Sequence, residues 1–395
     1  MTNTTRPQLA ALTSARFFAA FHVLLFHMRA MKGLTRAPMW CQKFASVGYV
    51  ALSFFFILSG FILAYTYAGR DFNLRQFWRA RLARLYPVYL FSLFVAAPFF
   101  FYAVLKINIP ELAWFRNHLG STVVLVLTML QAWVPPAALG WNGVAWAVSV
   151  EIFFYVVFPL LLARFSRISN RGLAMIGLVC WLGAVATSVA YVVLSPDHVV
   201  ADSSQDFLFW LNALKFNPLV RLPEFVVGLA CGYWFLRGEH NPKLATPLVL
   251  SGTAVALAVT AFSHQIPYPV LHTGLFAPAF AAIICGLALR PRCTSFLECK
   301  WLVLLGESSY CLYLLHAMIL GMFLFPNPPQ SPTPGNEIIP TPTATPGRLI
   351  GAVITSLIVA VLVYRFIEDP ARKWLRGKPR AQATAAAASA SCRTS

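Results

Sequence analysis

The chain has few charged residues for its length. Only 11% of its 395 residues are charged, and the 13 Asp and Glu are far outnumbered by 31 Lys and Arg. Soluble domains carry about 25% charged residues, so this shortage argues against a soluble globular protein. Hydrophobic residues make up 58% of the chain, and the mean hydropathy is +0.67. These values predict a polytopic integral membrane protein.

Several catalytic and cofactor signatures are also absent. There is no GxSxG elbow, no HExxH zinc motif and no P-loop, and the eight cysteines form no CxxC pair and no Cys/His metal spacing. We therefore expect no metal site and no permanently bound cofactor. No disulfide is expected either, because Cys293 and Cys299 share a basic segment predicted to be cytoplasmic.

The net charge of +18 does not indicate a nucleic-acid partner. The basic residues cluster in short segments between apolar runs, and such clusters mark cytoplasmic loops under the positive-inside rule. The segment from Arg70 to Arg84 is the strongest of them, and it places the N-terminus in the cytoplasm as well. A cleaved signal peptide is not expected, since Arg16 interrupts the first apolar run.

Ten apolar runs are long enough to cross a bilayer, which takes on the order of 20 residues each. They fall near 9–31, 46–68, 84–105, 144–163, 173–194, 219–236, 245–263, 270–290, 302–325 and 348–367. A shorter run, 119–134, is interpreted as re-entrant, because later basic clusters then all lie in the cytoplasm; a short true span is the alternative. The prediction is an all-α bundle of about ten transmembrane helices in the cell inner membrane.

These runs form one membrane domain, 9–372, between a cytoplasmic N-terminal end, 1–8, and a tail, 373–395. The tail is basic and then Ala/Ser-rich, and we expect it to be disordered in the cytoplasm. The Pro-rich segment 326–346 is expected to form an extended extracytoplasmic loop. Both termini are thus predicted to be cytoplasmic, and no internal repeat or second globular domain is found.

Arg16 and His27 lie eleven residues apart in the first apolar run. That spacing is about three helical turns, so the two side chains share one face and lie about 16 Å apart along the axis. Ionisable residues are costly in a bilayer and usually face a cavity, a partner or a substrate path. An imidazole near the outer end could remove a proton from an acceptor hydroxyl. His22 lies off this face and is expected only to hydrogen-bond a neighbouring helix.

Seven short motifs follow one another along the chain. They are Arg16-x10-His27, 55–61 (FFILSGF), 81–87 (RLARLYP), 146–151 (WAVSVE) with Phe158-Pro159, 223–228 (PEFVVG), 306–310 (GESSY) through His316, and 366–370 (FIEDP). Together they resemble the membrane-bound acyltransferase family 3, which includes O-antigen and exopolysaccharide acetylases and antibiotic acyltransferases. The resemblance covers residues 9 to about 372. It implies transfer of an acyl group, commonly acetyl from acetyl-CoA, to a hydroxyl of a carbohydrate or similar acceptor.

The resemblance marks His27 as catalytic, and Arg81 with Arg84 match the family's Arg-x-x-Arg pattern. A guanidinium is suited to phosphate, so Arg16, Arg81 and Arg84 are predicted to bind acyl-CoA. Alternatively, the arginines only mark the cytoplasmic side under the positive-inside rule, and the Arg16 side chain snorkels to the cytoplasmic surface. Glu151 is predicted to be a second catalytic residue that orients or charge-balances His27, with structural pairing, including to Arg16, as the alternative.

Further residues of the motifs are given weaker roles. Those predicted to line the site are Trp146, Ser149, Ser309, Tyr310, Tyr313 and His316. Those expected to pair with basic loop residues are Glu224, Glu307 and Glu368. Arg79 is interpreted only as a positive charge that marks the cytoplasmic side, and Ser59-Gly60 as a point of close helix packing or of a kink.

Functions of other classes are weighed against this one. A proton-coupled transporter or flippase would also use buried Arg, His and Glu, but transporters often show paired inverted repeats, which are not found here. A scaffold without chemistry is disfavoured by the same buried residues. The expected partners are acyl-CoA, a carbohydrate or glycan acceptor and the bilayer, with a small metabolite such as an antibiotic as the alternative acceptor. Some family members carry an extra extracytoplasmic hydrolase-like domain, which a separate partner protein could supply here.

Overall fold

The computed structural model describes residues 6–200, 208–238, 241–325 and 344–376, and within these ranges it contains helices and no β-strand. The first helices are α1 (Ala10–Ala30), α2 (Met39–Ser46), α3 (Ala51–Tyr67), α4 (Leu74–Lys106), α5 (Ala113–Asn117), α6 (Leu119–Leu127), α7 (Trp146–Phe165) and α8 (Asn170–Leu194). The others are α9 (Phe209–Phe216), α10 (Pro218–Leu236), α11 (Ala245–Ala261), α12 (Tyr268–His272), α13 (Ala277–Ala288), α14 (Lys300–Glu307), α15 (Ser309–Leu324), α16 (Pro346–Val363) and α17 (Asp369–Arg376).

The described part of the chain has nine helical segments that are long and apolar enough to cross a membrane. The number rises to ten if the bent pair of α14 and α15 counts as one span. The predicted polytopic all-α bundle is therefore confirmed. Most of the Pro-rich segment, 326–343, and the tail from residue 377 lie outside the described residues.

Three regions depart from simple straight spans. Helix α4 begins at Leu74, well before the predicted start near residue 84, and runs for 33 residues. The predicted span 302–325 is broken, because α14 and α15 meet at Ser308 with a bend of 65°. The run 119–134 contains only the nine-residue α6, followed by short turns. A helix of that length extends about 14 Å, less than half of the roughly 30 Å hydrocarbon core, which agrees with a re-entrant segment.

Glycines bring four helices of the bundle into backbone contact. A Cβ added to Gly228 of α10 would lie 1.8 Å from the Ile57 carbonyl oxygen of α3, and one on Gly60 of α3 would lie 2.1 Å from the Phe225 oxygen of α10. The close packing predicted at Ser59-Gly60 is thus confirmed. A Cβ on Gly306 would likewise lie 1.9 Å from the Thr13 oxygen, so α14 presses on α1. Helices α1 and α3 form walls of the cavities described next.

Candidate active site

Two neighbouring cavities lie along α1. The first, the Arg16 cavity, has a volume of about 300 Å³, and the second, the His27 cavity, of about 330 Å³. Leu52 and Tyr313 line both cavities, so these two side chains form the partition between them. Arg16 and His27, which share a helix face, therefore open into two compartments that adjoin each other.

The Arg16 cavity is strongly basic. Arg6, Arg16, Arg81 and Arg84 line it, and Glu151 is the single acidic side chain among its described lining residues. Arg16 and Arg84 interact electrostatically with Glu151, but neither arginine makes a hydrogen bond or ion pair in the described part of the chain. Two partly buried guanidinium groups without close partners are suited to binding an anion.

Arg81 differs from the other arginines because aromatic rings enclose it. Its guanidinium carbon lies 5.7 Å, 5.9 Å and 5.7 Å from the ring centres of Tyr67, Phe77 and Tyr155, respectively. Nη2 also donates a 3.4 Å hydrogen bond to the Tyr67 hydroxyl, while Nε has no partner among the described residues. These cation–π contacts hold Arg81 in place at the cavity wall.

Glu151 lies with the arginines rather than beside His27. It accepts a short hydrogen bond from the Tyr155 hydroxyl, one turn along α7, and it lines the Arg16 cavity and not the His27 cavity. Helix α7 begins at Trp146, two residues after the start of the predicted run 144–163, which places the carboxylate in the second turn. This geometry favours charge balance with Arg16 and Arg84 over a direct contact with His27.

The predicted lining residues divide between the two cavities. Ser309 and Tyr310 line the Arg16 cavity, Trp146 lines the His27 cavity, Tyr313 lines both, and Ser149 and His316 line neither. Ser149 is buried, and its Oγ lies 3.4 Å from the Ala132 backbone nitrogen, from which it accepts. His316 is buried behind His27, with the two ring centres 5.0 Å apart.

A buried cationic cluster, not predicted from the sequence, lies beside His27. Lys215 and His272 line the His27 cavity, and Arg221 lies behind them, fully buried. Arg221 donates from Nη2 to His272 Nδ1 at 2.6 Å, and from Nη1 to both carboxylate oxygens of Glu224 at 3.3 Å. The Lys215 ammonium lies 5.8 Å from the ring centre of Tyr268. One signal was available: Arg221 and Glu224 stand three residues apart in an apolar run, a spacing that pairs side chains on a helix.

The expectation for three glutamates is wrong. Their hydrogen-bond partners are Arg221, Ser53 and the Gly274 backbone N–H for Glu224, Cys311 for Glu368, and Tyr364 and Gln8 for Glu307. Glu224 and Glu368 are only 1% and 3% exposed, and none of the three has a basic loop residue as its partner in the described ranges. The physical reason is that the helix segments carrying Glu224 and Glu368 are packed inside the bundle, where a carboxylate needs a partner at hand.

A third cavity adjoins the His27 cavity. This vestibule has a volume of about 810 Å³. Phe26, Ala30, Tyr49 and Tyr268 line both it and the His27 cavity. The three cavities thus form a series from Arg16, past the partition and His27, to the vestibule.

The residues set aside as non-catalytic lie outside this series. A ring nitrogen of His22 hydrogen-bonds the Phe44 carbonyl oxygen at 2.8 Å, and the two rings stack 4.1 Å apart. This confirms the expected contact with a neighbouring helix, here α2. Arg79 is exposed, and its Nε donates to the Leu375 carbonyl oxygen of α17. Neither residue lines any of these three cavities.

Within the described ranges, no group of three or more His, Cys, Asp or Glu side chains is arranged to hold a metal ion. The seven cysteines described, Cys41, Cys180, Cys231, Cys285, Cys293, Cys299 and Cys311, are free thiols.

Comparison with known proteins gives consistent matches. The model of the acyltransferase domain family matches residues 9–365. Acyltransferase MdmB of Streptomyces mycarofaciens is 28% identical over 400 residues, which cover 96% of this chain and 95% of MdmB. O-acetyltransferase OatA of Staphylococcus aureus is 23% identical, over 92% of this chain and 57% of OatA. The putative peptidoglycan O-acetyltransferase YrhL of Bacillus subtilis is 25% identical, over 92% of this chain and 55% of YrhL. The chain thus spans little more than half the length of OatA and YrhL. No solved structure matches.

Proposed function

This chain belongs to the acyltransferase family whose domain model matches residues 9–365, and from its cavities we propose that it transfers an acyl group from acyl-CoA to a hydroxyl of a glycan. It is a multi-pass membrane acyltransferase; the donor, the acceptor and the residue roles are the proposal. The observation that carries it is the basic Arg16 cavity adjoining the His27 cavity across Leu52 and Tyr313.

The Arg16 cavity suits the donor. Acyl-CoA carries phosphates, and Arg16 and Arg84 offer guanidinium donors without close partners. Its volume of about 300 Å³ is at the low end for ligand sites, so we assign it the thioester arm, with the nucleotide at the mouth near Arg6. The positive-inside rule puts this end, and both termini, in the cytoplasm, where acyl-CoA is supplied.

His27 is the proposed general base at the other side of the partition. A neutral imidazole takes the proton of the acceptor hydroxyl while the hydroxyl oxygen attacks the thioester carbonyl carbon. The carbon–sulfur bond then breaks, and the proton returns from His27 to the leaving CoA sulfur. Glu151 acts at a distance in this scheme, by balancing the charge of the arginines that hold the donor.

The vestibule suits a carbohydrate acceptor. Tyr49, Tyr191 and Tyr268 line it, and such sites combine apolar faces with a few polar groups that fix orientation. The relative OatA is an O-acetyltransferase by name, and YrhL is named as a putative peptidoglycan O-acetyltransferase. A small hydroxylated metabolite is the second candidate, because the relative matched over 95% of its length, MdmB, is named only as an acyltransferase. A separate extracytoplasmic protein could present a glycan acceptor.

A reconstituted assay tests the proposal. The purified chain in proteoliposomes is given acetyl-CoA labelled in the acetyl group, with soluble peptidoglycan fragments or with a small hydroxylated antibiotic. We expect alkali-labile label on the peptidoglycan fragments; label on the antibiotic alone would favour the second candidate. Proton-coupled solute uptake that is independent of acetyl-CoA, with neither acceptor labelled, would favour the transporter instead.

Replacing Arg84 by Gln should raise KM for acetyl-CoA about 10- to 100-fold while changing kcat little. A hydrogen bond to a charged group contributes about 1.5–3 kcal/mol, and this substitution removes one from the donor. Arg75→Gln is the matched control, because Arg75 is exposed on the same helix and lines no cavity. Steady-state kinetics with acetyl-CoA as the varied substrate measure both values. Equal KM in the two variants would contradict the donor assignment.

A further inference from the structure

His316 lies in α15 directly behind the proposed base. It is fully buried, its ring centre lies 5.0 Å from that of His27, and the ring planes are inclined by 57°. His27 lines the cavity through which the acceptor would enter, whereas His316 does not. The second histidine can therefore influence the reaction only through the first.

Backbone carbonyls fix which nitrogen of His316 carries the proton. Nδ1 lies 2.7 Å from the Tyr313 carbonyl oxygen and 3.1 Å from the Leu312 carbonyl oxygen. A carbonyl oxygen only accepts hydrogen bonds, so Nδ1 must be the donor. In the neutral ring, Nε2 then carries a lone pair and can only accept.

That acceptor is left without a partner. His316 Nε2 is buried and has no hydrogen bond in the described part of the chain, and a buried polar atom in this state costs about 1–3 kcal/mol. The ring nitrogens of His27 likewise make no hydrogen bond there. The hydroxyl of Tyr313, which lines the same cavity, is already engaged as a donor to the Val144 carbonyl oxygen. The unused acceptor is His316 Nε2, and the aromatic ring nearest to the His316 ring is that of His27.

We infer that His316 is a positioning residue that accepts the ring N–H of His27 and so fixes its tautomer. Two imidazoles joined by an N–H···N bond have ring centres roughly 5 Å apart, since the bond itself spans about 3 Å. The observed separation therefore needs only a rotation of the His27 ring, because the Tyr313 and Leu312 carbonyls hold the His316 ring. With its proton held toward His316, His27 keeps a lone pair on its other nitrogen, directed at the acceptor hydroxyl. The inference rests on the proposed function, and it gives His27 an orienting partner analogous to the carboxylate of a hydrolase triad.

Substitutions of His316 that keep or remove an acceptor at Nε2 test the inference. Gln and Met have nearly the same shape, but only Gln can accept there; Asn can reach the position of Nδ1 and not that of Nε2. We expect His316→Met and His316→Asn to lower kcat about 10- to 100-fold, as for other residues that orient a reactive imidazole, with KM for acetyl-CoA unchanged. His316→Gln should recover most of the loss. The assay is acetyl transfer from acetyl-CoA by the full chain in proteoliposomes, with thermal unfolding as the check of folding.

Combination with His27→Ala separates this inference from the function on which it rests. In that background His316→Asn should cause no further loss, because a positioning residue acts only through His27. If His27→Ala is inactive while the Met and Asn variants equal the wild type, the tautomer role is overturned and the base assignment stands. Equal losses in the Gln and Asn variants, both folded, would also overturn it. If His27→Ala remains fully active, the proposed function fails as well.

Discussion

Replacing His27 by Ala should lower the rate of acetyl transfer by about 10²- to 10⁴-fold, the range that a general base contributes. The imidazole is the proposed acceptor of the hydroxyl proton, and it lines the cavity beside the partition at Leu52 and Tyr313. KM for acetyl-CoA should stay nearly constant, because the donor binds in the Arg16 cavity. Steady-state kinetics of the purified variant in proteoliposomes give both parameters.

His22→Gln is the matched control for this substitution. His22 lies on the same helix, but its ring hydrogen-bonds the Phe44 carbonyl oxygen and stacks on the Phe44 ring, and it lines neither the Arg16 nor the His27 cavity. Gln retains a donor for that carbonyl. We expect nearly wild-type transfer. A folded His27→Ala protein with the activity of the control would contradict the base assignment.

Replacing Glu224 by Ala should lower the free energy of unfolding by about 3–5 kcal/mol, the cost of removing one partner of a buried ion pair. Arg221 and Glu224 are 0% and 1% exposed. The Glu224 carboxylate also accepts from Ser53 Oγ at 2.6 Å and from the Gly274 backbone N–H at 3.1 Å. The substitution leaves a buried cation and two donors unmatched. Denaturant unfolding in mixed micelles measures the change.

Glu298→Ala provides the comparison for that loss. Glu298 Oε1 also pairs with an arginine, Arg290 Nε, at 3.0 Å, but the two side chains are 36% and 51% exposed. An exposed pair contributes roughly 0–1 kcal/mol, so this variant should unfold almost like the wild type. Similar decreases in the free energy of unfolding in both variants would show that burial does not determine how much the Arg221–Glu224 pair contributes to stability.

Local patterns in the sequence were sufficient for much of the fold. Apolar runs give the spans because only a helix of about 20 residues both crosses the hydrocarbon and satisfies its own backbone. The eleven-residue spacing of Arg16 and His27 gives their shared face from helical geometry alone. Predictions of this kind depend on neighbours within one helix, so they need no knowledge of distant contacts.

Features that depend on distant contacts were not predictable in this way. The 65° bend at Ser308 and the early start of α4 at Leu74 lie at helix boundaries, which apolar content does not define. The hydrogen bond from Ser53 to Glu224 joins residues 171 positions apart, and no local periodicity in the sequence indicates it. The same limit hid Lys215 and His272 from the candidate site, and it left open whether Glu151 serves His27 or pairs with Arg16, whose cavity the carboxylate lines.

The two adjoining cavities imply a direction for acyl transfer across the membrane. If the Arg16 cavity takes the donor from the cytoplasm and the vestibule takes the acceptor from outside, each substrate has its own side of the membrane. The acyl group is then the one part that passes between Leu52 and Tyr313.

Sidedness of transfer in sealed proteoliposomes tests this claim most directly. Peptidoglycan fragments that cannot cross the bilayer are trapped inside, labelled acetyl-CoA is added only outside, and the alkali-labile label on the trapped fragments is measured. The account predicts that the trapped fragments become labelled, and that His27→Ala abolishes the label. Labelling only when donor and acceptor are supplied on the same side would contradict it.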